Sequence, residues 1–237
     1  MPKKNGREAK KKKAKRNHGA RGHSKGSAFE RAICKELSLW WTHGERDDIF
    51  WRTAGSGARA TVRRGRGCAT ANSAGDVCAL DMVGQPFVDS ILVEMKKGYT
   101  FGSERIDVLK MLDALEGRKT CLLQQWLDKA WMEAGQTNRK QAWLIFQRDH
   151  AKPILMMPKK ALRELDCQGG PSYPYPSITV ETTVEVWVLV SLRDFLGWVG
   201  PGQVIPTKRR PFIPPRPKPA VTTGGRLKSR VRGNYGN

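Results

Sequence analysis

Nearly all of the positive charge of this 237-residue chain lies at its two ends. Residues 1–25 hold eleven lysines and arginines against one acid, and residues 205–237 hold nine against none. These two segments therefore carry 19 of the formal net charge of +21, and the middle is close to neutral. Runs of like charge and Pro/Gly-rich sequence bury too little apolar surface to build a core. We therefore predict one globular domain over residues 25–200, between a disordered arm (1–24) and a basic tail (201–237).

Polyanions are the natural partners of such cationic arms. Lysine and arginine side chains release counterions from nucleic acid and so give sequence-independent, salt-sensitive affinity. Two other roles for the arms stay open, namely solubility and addressing the protein to a compartment, including nuclear localisation. No amphipathic or lipidation signal accompanies the charge, so we expect DNA rather than a membrane as the partner.

The cysteines and the hydropathy pattern point to a reducing compartment. No secretory signal and no uninterrupted membrane-spanning run is visible. The five cysteines form no Cys-x-x-Cys pair, which argues against a zinc ribbon or a disulfide framework. We expect reduced thiols and a cytoplasmic location, associated with the nucleoid or, for a viral protein, in the host cytoplasm.

The residues most informative about function are Asp76 and the segment Glu94-Met95-Lys96, which ends the apolar run 90–93. Side chains alternate along a strand, so Glu94 and Lys96 share one face and Met95 lies on the other. A turn at residues 83–86 is expected to form a hairpin that brings Asp76 back beside Glu94. Two carboxylates and one ammonium suit a magnesium ion next to a phosphodiester. A solvated polar face is the structural alternative.

Upstream, Ser27-Ala-Phe-Glu30 fits a capping box at the start of a helix. Glu30 is then either a cap or a carboxylate near the metal site. Farther along, residues 57–75 form a glycine-containing basic segment that leads directly into Asp76, and its composition predicts a mobile loop. That loop either holds cations over the site or is a solvated insertion. Its arginines are Arg59, Arg63, Arg64 and Arg66.

The remaining apolar patterns predict an α/β fold. Strands are expected over residues 48–52, 142–146, 153–157 and 183–190. Helices are expected over 105–115, 119–133, 158–165 and 192–199. The apolar face of residues 122–131 is expected to be core or a subunit contact. Together these elements predict a single domain with a central mixed β-sheet flanked by helices.

Four motifs in order resemble the archaeal Holliday junction resolvases of the PD-(D/E)xK nuclease superfamily. They are Lys25-Gly-Ser-x-x-Glu30-Arg31, Trp51-Arg52-Thr-Ala-Gly-Ser56, Gly75-Asp76 and Val93-Glu94-Met-Lys96, and the resemblance covers roughly residues 25–146. It implies a restriction-endonuclease-like domain that acts as an endonuclease. Branched DNA would be the substrate, Mg²⁺ the cofactor (with Mn²⁺ as a substitute) and a homodimer the active form.

Carried over by position, the resemblance gives each residue a role. Asp76 and Glu94 would bind the metal, with the Met95 carbonyl as a third ligand. Lys96 would be the catalytic lysine. Glu30 would lie at the edge of the site and contact a metal-bound water or a second ion.

The resemblance further implies that Arg31, Arg52 and Ser56 contact the DNA backbone. The basic loop separates Ser56 from Asp76 by more residues than the family pattern has, and this puts junction specificity in doubt. Two alternatives therefore remain. One is a nuclease of the same superfamily that acts on linear, flap or sequence-specific DNA, and the other is a non-catalytic binding or packaging protein.

Overall fold

The computed structural model describes residues 25–53, 74–98, 121–167, 172–182 and 184–205. The N-terminal arm, the tail beyond residue 205, almost all of the basic loop and the helix expected over 105–115 lie outside these ranges, whereas the first residues of the predicted tail (201–205) are described and Val204 is part of the core. In chain order the described elements are α1 (25–41), β1 (Phe50–Arg52), β2 (Val77–Ala79), a 3₁₀ turn (Met82–Gly84), α2 (Gln85–Ser90), β3 (Ile91–Lys97), α3 (Leu122–Gln136), β4 (Gln141–Gln147), β5 (Ile154–Pro158), α4 (Lys159–Asp166), β6 (Ile178–Glu181), β7 (Val186–Ser191), α5 (Leu192–Trp198) and a second 3₁₀ turn (Pro201–Val204).

Five of the strands form one mixed sheet in the order β3-β4-β5-β7-β6. β3 and β4 run parallel, while the other neighbouring pairs are antiparallel. A parallel pair needs a crossover connection, and α3 lies on the chain between these two strands. The predicted α/β class with a central mixed sheet flanked by helices is confirmed.

The sheet separates two hydrophobic clusters, and β3 contributes to both. Ile91, Val93 and Met95 pack in the larger cluster with residues of α1, α2, α4 and α5. Leu92 packs in the second cluster with Leu127 and other apolar residues of α3. The predicted alternation along β3 is confirmed, because one set of side chains faces α1 and the other faces α3.

The predicted hairpin is wrong, because β2 pairs with β1 in a separate two-stranded ribbon. Residues 82–90 form the 3₁₀ turn and α2 instead of a tight turn. Asp81 caps the 3₁₀ turn by accepting a hydrogen bond from Val83 N, and Pro86 lies in the first turn of α2. Gly84 packs so closely on Ile49 and Phe50 that a Cβ would lie 2.7 Å from each side chain. This contact fixes the segment against β1.

The predicted capping box at Ser27 is also wrong, although the helix itself is confirmed. Residues 25–27 are already helical, so Ser27 lies within α1 rather than at its N-cap. Phe29, Ile33, Cys34 and Leu37 are buried on one side of α1, at the spacing of an amphipathic helix.

The other predicted elements that fall within the described ranges are present with shifted ends, and one strand found there was not predicted. β6 lies at the edge of the sheet and buries only Val180 among its four residues. Such a strand carries too weak an apolar pattern to be recognised. Within the described ranges, none of the helices is both long and apolar enough to cross a membrane.

Candidate active site

Asp76 is fixed by three hydrogen bonds, two of them to the free edge of β3. Its backbone N–H donates to Val93 O at 2.7 Å, and its carboxylate Oδ2 accepts from Met95 N at 2.7 Å. Its carbonyl oxygen accepts from Thr53 N at 3.0 Å, next to the end of β1. Asp76 is 6% exposed. Backbone and side chain are therefore both held, although β2 is not a neighbour of β3 in the sheet.

Gly75 allows this close approach. Its φ of +71° lies in the left-handed region, which side chains with a Cβ rarely adopt. A Cβ at this position would lie 2.6 Å from Val93 O. The Gly75 N–H donates to Glu133 Oε1 of α3 at 3.2 Å. A glycine is thus required before Asp76, because only a residue without a Cβ lets the aspartate come close enough to hydrogen-bond with β3.

Glu94 and Lys96 project together from β3, on the face that α3 covers. Lys96 Nζ lies 2.5 Å from Glu94 Oε1 and donates to Met95 O at 3.2 Å. The Glu94 side chain is 8% exposed and that of Lys96 is 22% exposed. A nearly buried carboxylate needs a cation or hydrogen-bond donors, and Lys96 supplies both. The predicted pair is therefore a compact cluster rather than a solvated face.

The donor atoms at this place suit a hard divalent cation. Asp76 and Glu94 supply carboxylate oxygens, and the Met95 carbonyl is already directed at a positive charge, the ammonium of Lys96. Mg²⁺ typically takes one or two protein carboxylates and keeps waters and phosphate oxygens as its other ligands. Among the described residues, no group of three or more His, Cys, Asp or Glu side chains is arranged to hold a metal. A metal held here would therefore have at most two carboxylates from the described residues, with the Met95 carbonyl beside them.

Glu30 and Arg52 form an ion pair beside this cluster. Glu30 Oε2 of α1 lies 3.1 Å from Arg52 Nε at the end of β1, and both side chains are mostly buried. The contact is a charge pair rather than a directional hydrogen bond, because Arg52 Nε has no hydrogen-bond partner in this geometry. Glu30 therefore holds Arg52 through its charge.

The ion pair lies next to Asp76, because Arg52 pairs with Val77 between β1 and β2 and the Thr53 N–H donates to Asp76 O. Burial raises the pKa of the Cys34 thiol to about 12. The negative charges of Glu30 and Asp76 contribute to this rise in the pKa, and the positive charge of Arg52 opposes it. The charges of Glu30, Arg52 and Asp76 thus all act on the buried Cys34 thiol, which lies one helical turn along α1 from Glu30.

The other predicted site residues are less constrained. Arg31 is exposed on α1, next to Glu30 in the sequence. Ser56 and the four arginines of the basic loop, Arg59, Arg63, Arg64 and Arg66, lie outside the described residues. Their expected contacts with DNA stay predictions.

Three residues of α3 that the sequence analysis did not assign to the site also contact it. Lys129 Nζ lies 3.7 Å from Glu94 Oε1, Glu133 binds the Gly75 N–H, and the Trp126 ring centroid lies 6.0 Å from Lys96 Nζ. Their spacing of three and four residues puts them on one stripe of the helix. In the sequence, the charged residues Lys129 and Glu133 share a helical stripe with Trp126, next to the apolar face of α3. This pattern was the one available indication that the helix contacts the site.

Comparison with known protein families matches residues 21–198 to the family described as "Phage putative PDDEXK endonuclease". The matched segment covers every predicted site residue and most of the described fold. No curated protein and no solved structure matches the chain.

We predict that Gly75→Ala destabilises the protein by about 1–3 kcal/mol. The left-handed backbone becomes strained and the added methyl group collides with Val93 O. Urea unfolding should show a lower midpoint with an unchanged slope. Gly202→Ala is the matched control, because nothing lies within 4 Å of a Cβ there and its φ is outside the left-handed region. Equal midpoints for Gly75→Ala and the wild type would contradict the assigned role of Gly75.

Proposed function

Because this chain belongs to the phage putative PDDEXK endonuclease family, we propose that it hydrolyses DNA phosphodiester bonds, with Mg²⁺, at the site of Asp76, Glu94 and Lys96. The observation that carries the proposal is the hydrogen bond from Met95 N to Asp76 Oδ2. It joins the distant aspartate to the middle residue of the Glu-x-Lys segment. The acid, Glu and Lys of the superfamily signature therefore meet at one strand edge.

In this proposal Asp76, Glu94 and the Met95 carbonyl hold the metal, for which Mn²⁺ can substitute. A bound Mg²⁺ supplies Lewis acidity toward a phosphate oxygen and lowers the pKa of a water ligand. Asp76 is well suited to the role because Met95 N fixes its carboxylate before any ligand arrives. Preorganised ligands lose little freedom on binding.

Lys96 orients the attacking water and offsets negative charge on the phosphate. An ammonium has three N–H donors, and its contacts with Glu94 and the Met95 carbonyl hold it over the site. Arg52, held by Glu30, and the exposed Arg31 bind the phosphate from the side of α1. Glu30 is thus first a positioning residue for Arg52, and a water-mediated contact with the metal is a second role.

Branched DNA is the substrate we propose, acted on by a homodimer. The order of the four motifs, shared with archaeal Holliday junction resolvases, supports this substrate class. A four-way junction is close to twofold symmetric, so a dimer with two sites matches it. The basic arms and the basic loop would add salt-sensitive affinity for the DNA backbone.

We predict that Asp76→Asn and Lys96→Gln each lower the rate of Mg²⁺-dependent DNA cleavage at least about 10²-fold. The first removes a ligand charge and the second removes an ammonium from the reacting phosphate. Single-turnover cleavage of labelled DNA, with Mg²⁺ or with EDTA, measures the effect.

Asp89→Asn, on the exposed side of α2, is the control and should cleave like the wild type. Undiminished Mg²⁺-dependent cleavage by purified Asp76→Asn would refute the proposed site. Salt-sensitive DNA binding by the wild type without any cleavage would instead favour a binding or packaging protein.

For the substrate, we predict paired nicks placed symmetrically across a four-way junction and slower cleavage of linear duplex of the same sequence. Denaturing gels with each strand labelled in turn locate the cuts. Equal or faster cutting of linear duplex or flap DNA would exclude junction preference and leave the nuclease assignment intact.

A further inference from the structure

One stripe of α3 touches three separate parts of the proposed site. Glu133 accepts a hydrogen bond from Gly75, beside Asp76, while Trp126 faces the Lys96 ammonium and Lys129 faces Glu94. α3 also packs its apolar residues against the sheet in the second cluster. The position of α3 is therefore fixed by the core, and this position places Lys129 at the edge of the site.

Lys129 differs from Lys96 in its exposure and in its distance from Glu94. The Lys129 side chain is 60% exposed and its nitrogen lies 3.7 Å from Glu94 Oε1. Lys96, at 2.5 Å and 22% exposed, already neutralises that carboxylate. An ion pair with one exposed partner contributes little to stability, typically below about 1 kcal/mol. Holding the fold together therefore does not account for a second ammonium at Glu94.

The charge balance of the cluster indicates what the second ammonium does. Two carboxylates, Asp76 and Glu94, stand against two ammonium groups, Lys96 and Lys129. With a divalent cation on the carboxylates, these four side chains and the ion together carry two surplus positive charges, and Glu133, which α3 holds beside Asp76, reduces the surplus to one. Each DNA phosphodiester brings one negative charge, so the cluster with its ion attracts phosphates of the DNA backbone.

We propose that Lys129 is a DNA-binding residue of this site, which binds a backbone phosphate next to the one that is cleaved. Before a metal binds, Lys129 pairs with Glu94. Once the carboxylate is occupied by a divalent cation, the long and exposed side chain turns to the DNA phosphate. This inference rests on the proposed function, and it adds α3 to the surfaces that contact DNA.

The test compares DNA affinity in two ionic conditions, using the full-length chain and one fixed salt concentration. Fluorescence anisotropy of labelled DNA gives Kd in EDTA and in Ca²⁺, a hard cation with the same oxygen ligands. Gels confirm that the DNA stays intact. For Lys129→Gln we expect Kd to rise about tenfold in Ca²⁺, the size of one charge-assisted hydrogen bond, and less than about twofold in EDTA.

Lys129→Arg should stay within about threefold of the wild type in both conditions, because it keeps the charge. Lys160→Gln is the matched control, since Lys160 is an exposed lysine on α4, which packs in the other cluster. For Lys160→Gln we expect the Kd for DNA to rise by the same factor in Ca²⁺ and in EDTA, or to stay unchanged in both. Urea unfolding of Lys129→Gln should match that of the wild type to within about 1 kcal/mol.

A loss for Lys129→Gln that is no larger in Ca²⁺ than in EDTA would overturn the inference. That result would not affect the proposed function, provided that the wild type cleaves DNA with Mg²⁺. Conversely, absence of wild-type cleavage overturns the proposed function whatever the affinity of Lys129→Gln, so the two failures are distinguishable.

Discussion

The site depends on the attachment of Asp76 to the free edge of β3. Its N–H and its carboxylate use two consecutive outward-facing groups of the strand, Val93 O and Met95 N. Both bonds require the chain to approach more closely than a Cβ would allow, which is why Gly75 precedes the aspartate. Edge strands otherwise present unpaired backbone groups. Here those groups bind Asp76, and its carboxylate is therefore held next to the residues of β3 that bear the Glu94 and Lys96 side chains.

Burial of charge is the second constraint. Asp76 and Glu94 are each 6% exposed, and nearly buried carboxylates are costly unless they are paired or hydrogen-bonded. Lys96, Lys129 and the Met95 N–H meet this need in the protein alone. A divalent cation would meet the same need more strongly. In the proposed function, the contacts that stabilise the carboxylates before metal binding would be exchanged for the cation, and Lys129 would then be available to bind DNA.

The sequence predicted those features that depend on local periodicity, and it missed those that depend on distant pairing. Alternation placed Glu94 and Lys96 together on β3, because a strand has a period of two whatever its neighbours are. The predicted hairpin is wrong because β2 pairs with β1, and Gly84, in the expected turn, packs on Ile49 and Phe50 instead. Lys129 was missed because its role appears only once α3 is packed on β3. For Glu30, the capping pattern was misleading, and its actual partner, Arg52, lies on another element.

The most direct measurement is a crystal structure of the protein soaked with Mn²⁺, with the ion located by its anomalous scattering. The account predicts a peak at the edge of β3, bound by carboxylate oxygens of Asp76 and Glu94 and by the Met95 carbonyl, at about 2.0–2.3 Å. It also predicts that Lys129 Nζ lies farther from Glu94 than the present 3.7 Å. A peak bound by other residues, or fully occupied Mn²⁺ sites that leave Asp76 and Glu94 without a metal, would contradict it.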